Sequence, residues 1–211
     1  GEVQITTTMG AITDNTATEN ALIDANTVAL RAATGIGAAG AGDIDLAINT
    51  LAADTTAGDI FLQEPSAATI GTVDLLSGIT AAGNINLAIG GTLNINQIIE
   101  ATGAASTIVV NGDADINVNQ TVQTNGGTID LLADNALNLN PGSLVDTTSA
   151  ATVTLTADAD NMGGGQFIQD ETSIVDAHDG DLDVKSDGDA YMADLRSAGG
   201  TITVTSIVGS I

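Results

Sequence analysis

The sequence predicts an all-β fold, a single right-handed parallel β-helix of eight to nine coils, with roughly 25 residues and three short strands per coil. Three observations predict it. A short peptide pattern recurs along the whole chain. Within each copy apolar and polar residues alternate at period two, as in a strand with one face turned inward. The apolar residues are almost all Ile, Leu, Val and Ala, since Phe61, Phe167 and Tyr191 are the only aromatics. Such side chains suit a narrow interior.

The recurring unit is a small residue, a polar residue, then apolar-x-apolar. It opens the chain as Gly1-Glu2-Val3-Gln4-Ile5, and a weaker copy is Asn26-Thr27-Val28-Ala29-Leu30. It continues as Gly58-Asp59-Ile60-Phe61-Leu62, Gly83-Asn84-Ile85-Asn86-Leu87 and Ser106-Thr107-Ile108-Val109-Val110. Then come Gly127-Thr128-Ile129-Asp130-Leu131, Ala151-Thr152-Val153-Thr154-Leu155, Gly180-Asp181-Leu182-Asp183-Val184 and Gly200-Thr201-Ile202-Thr203-Val204. The first apolar residues, from Val3 and Val28 through Ile60 to Ile202, lie about 25 residues apart, a period typical of solenoids and arrays.

Two further strands follow in each copy. In the cleanest one Ile85 leads to Leu93-Asn94-Ile95 and then to Ile98-Ile99. Later copies run Ile108/Ile116/Val122, Ile129/Leu137/Val145, Val153/Phe167/Ile174 and Leu182/Met192/Leu195. Gly, Asn, Asp and Ser supply the corners, because they tolerate turn conformations. Pro65 and Pro141 fall between strands, where no ladder hydrogen bond is lost. The Ala-rich stretch from Ala17 to Ala41 offers a helix as an alternative. Its Thr27-Val28 pair and Gly35, Gly37 and Gly40 argue against one.

Charge narrows the function. The chain carries 27 acidic residues against 3 basic ones, a net charge of −24. This excludes the clustered Lys and Arg of a nucleic-acid surface and the polybasic segment of an anionic-membrane binder. Hydrophobic residues at 43% supply enough material for a core, so this is no disordered acidic tail. With no cysteine, disulfides, zinc thiolates and cysteine nucleophiles are ruled out. No apolar run approaches the ~20 residues of a membrane helix. Gly1 opens without a charged or apolar leader, and we read residues 1–211 as one β-helical segment, a mature or excised piece of a longer chain or a filament subunit.

The run Ala21-Leu22-Ile23-Asp24-Ala25-Asn26-Thr27-Val28-Ala29-Leu30-Arg31-Ala32 followed by Gly35-Ile36-Gly37 resembles the repeats of filamentous-haemagglutinin-type surface proteins. So does Leu51-Ala52-Ala53-Asp54-Thr55 followed by Gly58-Asp59-Ile60. The resemblance covers nearly the whole chain. It implies the non-catalytic shaft of a large bacterial adhesin, at the cell surface or outside the cell. It also implies that the partners are further coils, stacked within one chain or end to end, together with host-surface or matrix glycans.

Two other functions are weighed against the shaft. The first is a calcium-dependent adhesive module. Calcium takes six to eight oxygen ligands, and the densest acidic run holds Asp176, Asp179, Asp181, Asp183, Asp187 and Asp189. These six are the candidate metal ligands, although neither the EF-hand spacing nor the Gly-Gly-x-Gly-x-Asp nonapeptide is present. Asp158 and Asp160 form a smaller pair. The second is a carbohydrate-active β-helix enzyme, with paired carboxylates cleaving glycosides. Three aromatics and the scattered Arg31, Lys185 and Arg196 are a poor sugar platform, and His178 is the only histidine. No catalytic residue and no cofactor other than calcium is assigned. Thr107, Thr128, Thr152 and Thr201 share one slot with acids and Asn, which reads as an outer polar ladder. Asn84, Asn86, Asn94, Asn96, Asn117, Asn119, Asn138 and Asn140 are expected to stack and bond along the rod.

Overall fold

A computed structural model describes residues 1–16 and 18–211. Ala17, where the helical alternative begins, lies outside the described residues. The rest of that stretch holds the strands Ile23–Asp24 and Thr27–Ala32, and no helix occurs among the described residues. The chain is a parallel β-solenoid of about nine turns. At about 4.8 Å per rung, eight intervals make a rod roughly 40 Å long.

Face one is a nine-stranded parallel ladder. Its regular rungs are Ile60–Glu64, Ile85–Ile89, Ile108–Gly112, Ile129–Ala133, Val153–Ala157, Leu182–Ser186 and Ile202–Ser206. Ile60, Ile85, Ile108, Ile129, Val153, Leu182 and Ile202 form one column, as the repeat predicts. Face two stacks Ala68–Ile70, Leu93–Ile95, Ile116–Val118, Leu137–Leu139, Phe167–Gln169 and Ala190–Tyr191. Face three stacks Ile79–Ala81, Ile99–Ala104, Thr121–Asn125, Leu144–Asp146, Ile174–Asp176 and Asp194–Arg196. Inward Ile, Leu and Val residues from all three faces merge into one continuous core.

The first turns depart from three strands per coil. Glu2–Thr7, Thr27–Ala32 and Thr50–Thr55 each run unbroken across faces two and three. Thr50 and Leu51 pair with face two, while Ala53–Thr55 pair with face three. The corner enters one rung later through a hairpin, Thr72–Val73 with Leu76–Ser77, the only antiparallel strand pair among the described residues. Val73 and Leu76 cover the outer faces of Ala29 and Ala52, which form a small second core.

The repeat phase also shifts near the start. Val3 and Val28 belong not with Ile60 but with Leu51, on the merged strands. The residues beneath Ile60 on face one are Ile36 and then Ile12. Spacings of 25 and 32 thereby become 24 and 24, and the irregular interval disappears. Near the other end, Ala190 rather than Met192 stacks on Phe167. Met192 is 36% exposed, and it is Val175, not Ile174, that points inward on face three.

The glycine that opens several of the copies has a steric cause. It sits at the corner between faces three and one, where the coil below passes directly underneath. A Cβ on Gly58 would run into the carbonyl oxygen of Thr34, and one on Gly127 into that of Ser106. Gly58 also has φ of +83°, in the left-handed region that L side chains avoid. Gly40 has φ of +69° but nothing within 4 Å. Gly40→Ala is therefore expected to cost about 1 kcal/mol, the left-handed penalty alone. Gly58→Ala is expected to cost about 3 kcal/mol or more, because the stacked backbones must also part. Denaturant midpoints of the two variants decide it, and equal losses would refute the close-stacked corner.

Candidate functional site

A parallel ladder places each outward side chain about 4.8 Å from the same position of the next coil. Acid on acid therefore repels along the whole rod. The register largely avoids this. Asp130 lies between Val109 and Thr154, and Asp183 between Thr154 and Thr203. Glu100 lies between Thr80 and Gln123, and Asp54 between Arg31 and Thr80. Among the described ladder pairs only Asp146 and Asp176 set acid against acid. That pair has a hydrogen-bonding or charged partner on either side. His178 Nε2 is 2.9 Å from Asp146 Oδ1, and Arg196 stacks on Asp176 from the far side. His178 thus ties two coils together.

The six aspartates proposed from the sequence do not converge. They are spread over corners and faces, and most are occupied. Asp176 Oδ1 accepts from His178 N at 2.8 Å. Asp181 Oδ1 accepts from Thr201 N of the next coil at 2.8 Å. Asp183 Oδ2 pairs with Lys185 Nζ at 2.7 Å. Asp187 Oδ2 accepts from Gly164 N at 3.0 Å. Asp189 accepts from Ser210 N at 2.7 Å and from Tyr191 Oη at 3.0 Å. Asp179 is exposed at a turn. The wider pattern is that corner Asp and Asn side chains accept backbone N–H groups the ladder leaves over. Asp59 does so for Asn84, and Asn84 for Thr107.

The asparagine ladders form on face two and its corner. Asn94, Asn117 and Asn138 are joined at 3.0 and 2.9 Å, and Asn96, Asn119 and Asn140 at 2.8 Å each. Asn84 and Asn86 stand outside them. Asn84 caps the next coil, and Asn86 lies between Phe61 and Val109. Glu64, which the sequence did not single out, is 1% exposed. It accepts from Ile48 N at 2.7 Å, Ser66 N at 2.9 Å and Ser66 Oγ at 2.6 Å. A carboxylate ending a face-one strand beside Ser66 and Pro65 was the available signal.

A groove of about 480 Å³ lies beside the Leu182–Ser186 strand, with Leu132, Thr156, Asp158, Lys185, Asp187 and Ile207 on its walls. Its acids serve the loop above it. Asp158 accepts from Gly163 N at 2.8 Å, while Asp187 holds Gly164. Asp160, its partner in the smaller sequence cluster, accepts from Met162 N at 3.0 Å.

Carboxylates that do converge lie near the other end. The chain leaves face one after Ile12 and returns at Ile23, and it leaves again after Ile36 and returns at Ile44. These excursions bring together Glu19, Asp43 and Asp45, with one carboxylate oxygen of each within 4.8 Å of the others. Leu22 N donates to Asp45 O at 2.9 Å, fixing the returning segment over the strand.

Comparisons with family models, with curated proteins and with solved structures find no match to this chain.

Two expectations follow. Asn117 holds two ladder bonds, so Asn117→Ala should cost about 1–2 kcal/mol, and Asn86→Ala clearly less; equal urea midpoints would dissolve the ladder's role. Burial, then the neighbouring Asp160, Asp113 and Asp158, push the Asp134 carboxyl above its ordinary 3.8. The folded chain therefore holds that proton more tightly than the unfolded chain. Its contribution to stability is complete below 3.8 and is lost as pH rises through the raised value. Asp134→Asn should melt higher than the parent at neutral pH, with the gain vanishing in acid. A variant that melts lower at neutral pH would contradict this.

Proposed function

We propose that this chain is a segment of the structural shaft of a large bacterial surface or extracellular filament, of the filamentous-haemagglutinin kind. The observation that carries the reading is the continuity of the ladders. Two hydrogen-bonded sheets run the length of the rod, and the core beneath them is one unbroken cluster. Side-chain amide ladders reinforce the same axis. A rod that transmits distance and load needs these features and no moving part. The −24 charge sits mostly on outward positions, where it opposes side-to-side association at low salt.

Axial association is a different matter. Ile202 is 42% exposed, Val3, Ile5 and Val204 are half-buried, and all four continue core columns. Outer strands of this kind take a further strand readily. Their partners in this reading are more coils of the same pattern, in the same chain or a second copy. Host-surface or matrix glycans are the binding class for the exposed flanks.

Immunogold labelling of the producing bacterium tests the reading. Label along thin extracellular fibres is expected. Label confined to the cytoplasm, or cleavage of a polysaccharide panel by the purified chain, would overturn it. Negative staining of the 211-residue chain adds a physical check. Rods and end-to-end multiples of one width are expected as concentration rises; sheets or lateral bundles at low salt would count against it.

A further inference from the structure

We infer that Glu19, Asp43 and Asp45 form a binding site for one hard divalent cation of the calcium class, clamping two loops onto face one. The site lies at the opposite end of the chain from the aspartate run of the sequence.

The argument begins with Asp45. It lies on the strand Ile44–Ala47, between the core residues Ile44 and Leu46. Alternation turns its side chain to the outer surface, where the stacked neighbour is Gln63. An outward aspartate on a solenoid should be solvated, yet Asp45 is only 3% exposed. Its carboxylate has no hydrogen-bond partner among the described residues. This contrasts with Glu64, whose equally buried carboxylate has three donors. Asp43 repeats the pattern, since its Oδ1 is enclosed and unpartnered. Buried carboxylate oxygens without donors are costly unless something neutralises them.

No side-chain cation does so among the described residues. Lys185 pairs with Asp183 and Arg196 with Asp194. Arg31 stacks between Thr6 and Asp54 on the merged strands. Asp14 adds a fourth negative charge near Asp43 and Asp45.

A hard cation resolves all of this at once. Three carboxylates offer up to six oxygens, and calcium accepts six to eight in flexible geometry. Glu19 sits on one loop, Asp43 on the second and Asp45 on the rigid strand beneath. Binding would therefore join two excursions to the ladder. Magnesium, which demands a tighter octahedron and keeps its water, suits two loops and a strand less well.

Calcium chloride titrated calorimetrically into the 211-residue chain, at physiological ionic strength, tests the site. One saturable equivalent is expected. Asp45→Asn and Glu19→Gln should each weaken it by about tenfold or more, and Asp181→Asn should leave it unchanged. Melting curves give an independent readout. In EGTA, Asp45→Asn should melt at or above the parent, because an unpartnered buried charge is gone; in calcium the parent should overtake it. Glu19→Gln lies on an exposed loop and keeps the test open if Asp45→Asn fails to fold. No saturable heat, superimposable parent melts in EGTA and calcium, or equal weakening by Asp181→Asn would each overturn the assignment.

Discussion

The fixed spacing of the parallel ladder governs this molecule. Each coil lies about 4.8 Å from the next, so every side chain is packed against its own counterpart one period away. Inside, this favours columns of like aliphatic residues, such as Ile85 on Ile108 on Ile129. At several corners it leaves no room for a Cβ, as at Gly58, Gly103, Gly127, Gly180 and Gly200. Outside, it sorts side chains by whether they tolerate themselves. Asparagine does, being donor and acceptor at once. Aspartate does not.

The acidic composition has to be read through that rule. A chain with 27 acids and 3 bases would tear a ladder apart if the acids stacked. Instead they alternate with Thr, Gln and Val along each column, or move to corners and accept backbone N–H groups. The single stacked pair, Asp146 and Asp176, is where the chain places its one histidine and one of its two arginines. Charge is thus kept high around the circumference and matched along the axis.

Much of the fold was legible because the same rule writes itself into the sequence. From Ile60 onward the pattern of small, polar, apolar-x-apolar places each face-one rung correctly, and the corner glycines are visible in it. The first two rungs were misplaced for a physical reason. Merged strands such as Thr27–Ala32 have the same alternation as face-one strands, and the excursions after Ile12 and Ile36 hide the true column. Met192 was read as the face-two residue of its coil, whereas Ala190 is the one in register with Phe167. The six candidate metal ligands are likewise dispersed by the coil geometry. Proximity in sequence gathered Asp176 through Asp189, but a triangular coil sends consecutive residues around three faces. Convergence in a solenoid comes from residues about one period apart, as Glu19 and Asp43 are.

Where like must stack on like, a special site can arise only where a rung breaks the repeat. Four excursions do so among the described residues: after Ile12, after Ile36, between Gly71 and Gly78, and between Ala157 and Phe167. Three lie in the early coils and the fourth, 158–166, in a late one, and the interior is already filled by stacked columns. An outward excursion can cover a neighbouring surface or create a new one. The hairpin at Val73 and Leu76 does the first, burying Ala29 and Ala52 beneath it. The two face-one excursions do the second, enclosing an outward aspartate that a regular coil would leave in water. The regular coils repeat one surface along the rod, and the irregular rungs are where the outer surface departs from that repeat.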